Sequence, residues 1–269
     1  MLHSSLLTCA DGHSSDAESR YDPLVTKKKR LDILLTDRGL VPSRARAQSL
    51  ILARKVLVEG QVESKAGTQV DPDANIEIVT PDHPWVSRGG IKLVAALDAF
   101  SISPRGLDCL DVGASTGGFT NVLLERGAGR VIALDVGRGQ LDWRLRNDAR
   151  VEVMEGVNAR HLGTIELPFS AALATVDVSF ISLRLVVPAV LPHLIAGAWL
   201  VCLVKPQFEA GRHQVGKGGI VRDESVRRQT IDETVRALEE FGLKLVGIVP
   251  SPIRGQKGNL EELAVFQTR

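Results

Sequence analysis

The run Leu107-Asp108-Cys109-Leu110-Asp111-Val112, followed at once by Gly113-Ala114-Ser115-Thr116-Gly117-Gly118, constrains this chain more than any other segment. An apolar run, a turn of small residues and then Phe119-Thr120 read as a buried strand, a tight turn and a helix opening at Thr116 or Gly117. Glycine at 113, 117 and 118 lets the backbone turn sharply and approach a ligand where a Cβ would collide. A second apolar run, Val131-Ile132-Ala133-Leu134, ends in Asp135, whose carboxylate can accept hydrogen bonds from both hydroxyls of a ribose.

The loop spacing is G-x-x-x-G-G. It is not the G-x-G-x-x-G of dinucleotide enzymes, and it lacks the Lys-Ser/Thr of a P-loop. Few amides are then aimed at a pyrophosphate, so a nucleoside without phosphates is the better fit. S-adenosylmethionine is the common cofactor of that kind. An ordinary strand-to-helix turn has the same local pattern, and the loop alone leaves that alternative open.

A chain of 269 residues holds one large domain and a small one. Its 33 Lys and Arg against 32 Asp and Glu conceal an asymmetry. Between Lys27 and Lys65, ten basic residues (Lys27, Lys28, Lys29, Arg30, Arg38, Arg44, Arg46, Arg54, Lys55, Lys65) face only Asp32, Asp37, Glu59 and Glu63. A basic module joined to a balanced one suggests a polyanionic partner, although a solvated helix face gives the same charge run. Cys109 and Cys202 lie in apolar runs and Cys9 in a polar tail, without metal-ligand spacing. That usage suits a reducing cytosol and a cytoplasmic protein, with no metal and no disulfide framework expected. No apolar run approaches a membrane span, and the first residues make no signal peptide.

Residues 1–27 are rich in Ser, Asp and His and aperiodic, the pattern of a disordered extension or of an upstream start codon. Residues 28–80 form a compact α/β unit: a short helix around Leu31, Leu34 and Leu35 closed at Gly39, then a helix capped by Ser43 and bearing Arg44, Arg46 and Arg54. Strands around a turn at Gly60, at Val70 and at Ile76-Glu77-Ile78-Val79 complete it. Residues 81–86 are expected to be a linker because Pro81 and Pro84 forbid a continuous helix. Trp85 within it serves either as a hinge or as packing for the second domain.

From 87 to 269, strand signals near 107–112, 131–134, 151–154, 171–176, 198–204, 244–249 and 261–267 alternate with helix signals near 89–100, 117–126, 139–146, 182–194 and 224–241. Continuously apolar strands such as Trp199-Leu200-Val201-Cys202-Leu203-Val204 indicate a sheet covered on both faces. The expected architecture is a doubly wound α/β domain of Rossmann type, with ligands at the carboxyl ends of its strands. Lys92, Asp177, Lys205 and Glu261 all stand at ends of expected elements, and Asp177 and Lys205 share the rim of the glycine turn. Singly, each reads more readily as a surface ion pair. The glycine-rich, basic segment from Gly211 to Gly219 reads either as a mobile flap over the substrate or as a plain loop.

The 28–80 pattern resembles the S4 RNA-binding module on the stretches Arg30-Leu31-Asp32-Ile33-Leu34-Leu35, Ser43-Arg44-Ala45-Arg46-Ala47-Gln48 and Val56-Leu57-Val58-Glu59-Gly60. The Lys-Asp-Lys-Glu order with this turn resembles the FtsJ class of ribose 2′-O-methyltransferases, and the whole chain is similar to the TlyA family, sometimes labelled haemolysin A. The motifs are Ser87-Arg88-Gly89-Gly90-Ile91-Lys92-Leu93, the turn itself, Asp135-Val136-Gly137, Leu145-Arg146-Asn147-Asp148, Asp177-Val178-Ser179-Phe180-Ile181-Ser182, Val204-Lys205-Pro206-Gln207-Phe208-Glu209 and Gly258-Asn259-Leu260-Glu261.

The resemblance implies S-adenosylmethionine-dependent methylation of ribose 2′-hydroxyls, chiefly of cytidines, in ribosomal RNA or ribosomal subunits. It implies Lys92, Asp177, Lys205 and Glu261 as the catalytic set, with Lys205 expected as the base. It further implies cofactor contacts from Asp111, Gly113, Ala114, Ser115, Thr116, Gly117, Gly118, Asp135, Asn158 and Asp177. RNA contacts would come from Arg44, Arg46, Arg54, Lys55 and Arg88. The adjacent Glu262 leaves open which carboxylate faces the site, since strand alternation turns only one inward. Two other readings remain: a ribosome-assembly factor keeping the fold without useful activity, and a membrane-lytic protein.

Overall fold

The computed structural model describes residues 28–41, 43–79, 83–255 and 257–269. The expected disorder of 1–27, Cys9 and residues 81–82 of the expected linker lie outside them. By contacts the chain divides between Asp82 and His83.

The first unit runs β1 (Lys29–Arg30), α1 (Leu31–Asp37), α2 (Arg44–Leu52), β2 (Val56–Val58), β3 (Gln61–Glu63), β4 (Gln69–Val70) and β5 (Ile76–Ile78). Ser43 caps α2 by accepting from the amide of Arg46 at 3.2 Å, as its side-chain type suggests. β2 and β3 form a hairpin through Glu59 and Gly60, both at positive φ (49° and 74°), the backbone a two-residue I′ turn requires. Leu31, Leu34, Leu35, Leu50, Ile51 and Val56 make the core. At its edge the buried Asp32 accepts from Arg30, Arg44 and Gln48 at 2.8–3.0 Å. The Arg30 guanidinium foremost holds that carboxyl well below the usual carboxylate range. Arg44 is therefore anchored at its base yet still half exposed.

The second unit runs α3 (Gly89–Ala99), β6 (Asp108–Val112), α4 (Gly118–Glu125), β7 (Arg130–Asp135), α5 (Trp143–Arg146), β8 (Val151–Glu155), β9 (Ala171–Val176), α6 (Leu183–Val190), β10 (Leu194–Val204), α7 (Pro206–Glu209), α8 (Glu224–Glu240), β11 (Lys244–Pro250) and β12 (Glu262–Gln267). Its seven strands lie in the order β11-β12-β10-β9-β6-β7-β8. β6 to β10 are mutually parallel, and β12 is antiparallel to both β10 and β11. Alternation along each strand feeds two cores. Leu110, Val112, Ile132, Val186 and Ile231 pack on one face, and Cys109, Ala133, Leu93, Leu97 and Leu123 on the other.

Of the two roles open to Trp85, packing is the one observed: Trp85 and Val86 both pack on the second core, and the Val86 amide donates to Asn121 Oδ1 at 3.0 Å. A Cβ on Gly90 would lie 2.4 Å from the Trp85 ring, so that glycine makes the seat for the indole. The helix expected over 182–194 stops at Val190, a 3-10 turn follows at Leu191–His193, and β10 begins already at Leu194. Pro188 and Pro192 remove the amides a longer helix needs.

Candidate active site

The glycine turn is built as its sequence demands. Gly113 has φ +87° and its amide bonds the carbonyl of Leu134 at 2.8 Å. A Cβ there would stand 2.4 Å from the carbonyl oxygen of Asp177, so the turn after β6 presses directly on the loop after β9. Gly117 caps α4 at φ +94°, where a Cβ would strike Leu145 and Leu141. Gly118 opens the helix at a position where a Cβ would fall 2.3 Å from Ser87 Oγ.

Over this turn lies a cavity of about 550 Å³ at the carboxyl ends of the parallel strands. That size is ordinary for a small-molecule site. Gly113, Ala114, Ser115, Thr116 and Gly118 form one wall. Asp177, Ser179 and Phe180 come from the loop after β9, and Lys205, Gln207 and Phe208 from the turn after β10. Arg88 and Lys92 come from the start of α3, and Arg254, Lys257, Asn259 and Glu261 from the segment before β12.

All four charged residues singled out from the sequence meet in this cavity, as two ion pairs. Lys205 Nζ lies 2.5 Å from Asp177 Oδ1, 2.9 Å from the Val178 carbonyl and 3.1 Å from Ser179 Oγ. Lys92 Nζ donates to Glu261 Oε2 at 2.5 Å, with both side chains nearly buried. The antiparallel β12 explains how Glu261 arrives. Glu262 is in register with Val204, so the residue before β12 lies beside the residue after β10. Glu262 points away and pairs with Arg227 at 2.7 Å, which assigns the inward position to Glu261. A Cβ on Gly255 would sit 2.4 Å from Glu261 Oε1, so that glycine leaves room for the carboxylate.

Other expected ligand contacts do not reach the cavity. Asp111 is fully buried on the α4 face of β6 and accepts from Thr120 Oγ1 at 2.7 Å and Thr175 Oγ1 at 2.9 Å. Alternation turns it inward with Cys109, away from the loop. Gly117 serves backbone geometry and faces Leu145. Asn158 Oδ1 caps the 3-10 turn Ala159–Thr164, accepting from the Arg160 amide at 3.0 Å. Asp135 is half buried, and its two oxygens accept from the amides of Ser115 (2.8 Å) and Gly137 (2.6 Å). It braces the loops after β6 and β7 rather than standing free. In the first unit Arg44, Arg46, Arg54 and Lys55 occupy α2 and the bend behind it, where Arg54 has φ +58°. Arg88 belongs to the cavity of the second unit.

Sequence reading missed the aromatic pair at the cavity. Phe180 is 87% exposed and held at φ +64°, a conformation costly for a bulky residue. Its ring lies 5.0 Å from that of Phe208. Both lie inside motifs whose charged members drew attention, and neither periodicity nor composition signals an exposed ring. Glu209 ties the two carrier loops together, accepting from Ser182 Oγ at 2.6 Å and the Leu183 amide at 2.8 Å. Burial pushes its carboxyl up and those bonds hold it down. The segment 211–219 is pinned at its end: Asn259, itself buried, donates to the Gly219 carbonyl at 2.8 Å and accepts from the Val221 amide at 3.1 Å.

Burial pushes the Asp111 carboxyl up to about 6, against the pull of its two threonine bonds. The folded state thus holds this proton more tightly than the unfolded chain does. The resulting stabilisation is present below pH 4 and is lost as pH rises from about 4 through about 6. Asp111→Asn should therefore lose less stability than the parent across that window, by about 2–3 kcal/mol. Urea unfolding of both proteins at pH 4.5 and 7.5 checks it, and parallel curves would refute the assignment.

Fold and site together define a nucleoside-cofactor methyltransferase coupled to an S4-type module. A family model of FtsJ-like methyltransferases matches residues 85–268, and one of the S4 domain matches residues 29–76. The 16S/23S rRNA (cytidine-2′-O)-methyltransferase TlyA of Mycobacterium tuberculosis is 46% identical over 91% of this chain and 92% of its own. Hemolysin A of Brachyspira hyodysenteriae is 44% identical, covering 88% and 99%. A solved chain from Streptococcus thermophilus, described as a hemolysin, shares 39% identity and a TM-score of 0.69 over 90% and 89%. The chain belongs to the TlyA family of FtsJ-like methyltransferases.

Proposed function

We propose that this protein transfers a methyl group from S-adenosylmethionine to the 2′-hydroxyl of a cytidine in ribosomal RNA, in the cytoplasm where ribosomes assemble. The observation that carries this reading is the convergence of Lys92–Glu261 and Lys205–Asp177 on one cavity beside the glycine turn. The residues fit such a cofactor. Backbone at Gly113, Ala114 and Ser115 lines a wall without large side chains, and at Gly113 and Gly118 a Cβ would meet protein atoms at 2.4 and 2.3 Å. When bound, the cofactor supplies an electrophilic sulfonium methyl.

The chain's own residues have the remaining tasks. A ribose hydroxyl is a poor nucleophile and must shed its proton as it attacks. In its amine form Lys205 accepts that proton at Nζ, while Asp177, the Val178 carbonyl and Ser179 fix where Nζ stands. Lys92, locked by Glu261, orients the ribose oxygen as a donor without leaving its pair. The exposed Phe180, backed by Phe208, offers a face on which an unstacked base can rest. Arg88, Arg254 and Lys257 place positive charge along the cavity for backbone phosphates. The arginines of the S4 module supply shape-based RNA affinity.

The deciding experiment incubates the protein with tritiated S-adenosylmethionine and ribosomal subunits from cells lacking it, then maps the labelled nucleotide. Label on a single cytidine 2′-oxygen supports the proposal; absence of transfer to any RNA refutes it and favours an assembly factor. Among the described residues, no helix is long and apolar enough to cross a membrane.

A further inference from the structure

Gln207 lines the cavity, and one of its polar atoms is left over by the arrangement above. Gln207 Oε1 is buried and has no hydrogen-bond partner among the described residues. Its amide cannot simply be turned around. Gln207 Nε2 faces Glu261 Oε1 at 3.5 Å, and that carboxylate oxygen only accepts. Exchanging the two ends would set oxygen against oxygen. The carboxylate of Glu261, itself paired with Lys92, thus favours the orientation in which Gln207 turns Nε2 toward it and leaves the acceptor Oε1 on the other side. An orphaned acceptor of this kind is costly in a protein interior, which makes it a place for a donor from a bound molecule.

Resting on the reading proposed above, we infer that Gln207 reads the base of the target nucleotide through its Oε1, accepting a hydrogen bond from the exocyclic amine of cytosine. Gln207 lines the same cavity as the aromatic pair Phe180 and Phe208 on which the base would rest. Cytosine presents an N4 amine donor at the position where uracil presents an acceptor oxygen. A fixed, buried acceptor welcomes the first and repels the second. The ribose hydroxyl is a weaker match for this atom, because its one proton is already directed to Lys205 Nζ.

The test uses the full chain, and as RNA the substrate mapped above, prepared with cytidine, uridine or N4,N4-dimethylcytidine at the target. The parent protein should favour cytidine over uridine by at least roughly tenfold in kcat/KM. It should treat the dimethylated base, which has no N4–H donor, about as poorly as uridine. Gln207→Met, which keeps side-chain length without the polar atoms, should bring the cytidine-to-uridine ratio to within about twofold while S-adenosylmethionine affinity, measured by calorimetry, stays unchanged. A cytidine preference that survives Gln207→Met would overturn the inference. So would full activity on the dimethylated base, which needs no variant and decides the matter even if Gln207→Met fails to fold. A loss of cofactor affinity in Gln207→Met would assign the acceptor to the cofactor instead. Equal transfer to cytidine and uridine refutes only the role of Gln207, whereas no transfer to any of the three refutes the methyltransferase reading itself.

Discussion

Lys205→Met should lower single-turnover methyl transfer by at least ~10²–10⁴-fold, the usual worth of a positioned general base. Cofactor affinity should hardly move, because the glycine-turn wall of the cavity is made by backbone that the substitution does not touch. The replacement keeps the apolar stem and removes the one atom that meets Asp177, Val178 and Ser179 together. Asp177 is left without its ion-pair partner, but it is about a quarter exposed and water can reach it, so the fold should survive. Rapid-quench measurement with saturating cofactor, beside calorimetric titration, separates the two quantities. Near-normal transfer would take Lys205 out of the reaction, and Lys92 would become the remaining candidate.

Gly113→Ala is expected to damage binding and stability at once. Left-handed backbone costs a residue with a Cβ about 1–2 kcal/mol, and forcing extra volume into a packed place costs a further ~1–3 kcal/mol. The obstacle is the Asp177 carbonyl, which is backbone and cannot swing aside as a flexible side chain would. Relief requires the loops after β6 and β9 to part, and these carry the cofactor wall and Asp177. We expect a fall in melting temperature of at least about 5 °C and at least about a tenfold loss of S-adenosylmethionine affinity. Gly139→Ala is the control: its φ is +69° and nothing lies within 4 Å of the added carbon. It should show the backbone strain alone, with cofactor affinity kept. Equal effects at both positions would mean that the contact with Asp177 contributes nothing.

Both predictions rest on features that differ in how visible they are in sequence. The glycine turn was legible because its three glycines follow a strand pattern of apolar residues interrupted only by Asp108 and Asp111, and because only glycine tolerates φ near +90° at 113 and 117. Lys92, Asp177, Lys205 and Glu261 were found as ends of elements, and family resemblance gave the order a meaning that no single residue has. Asp111, Asp135 and Asn158 were assigned to the cofactor by motif position. In the folded chain all three have protein partners: Thr120 and Thr175, the Ser115 and Gly137 amides, and the Arg160 amide. A carboxylate in a motif looks the same on paper whether it caps a loop or faces a ligand. The exposed Phe180 was overlooked for the opposite reason, since an aromatic residue between a strand and a helix is normally read as core.

From the order of residues alone came the alternation of apolar strands with amphipathic helices, the S4 module ahead of it and the loop chemistry that favours a nucleoside. Those depend on short-range rules of periodicity and backbone freedom. The meeting of residues 92, 177, 205 and 261 could not be obtained that way, because they are spread over 170 positions and their approach depends on strand order. Inserting β12 antiparallel between β10 and β11 turns its first end to the rim where the parallel strands finish. Pairing across that one register sets Glu261 next to Lys205, turns Glu262 toward Arg227, and gives Lys92 the carboxylate that lets a buried ammonium exist there.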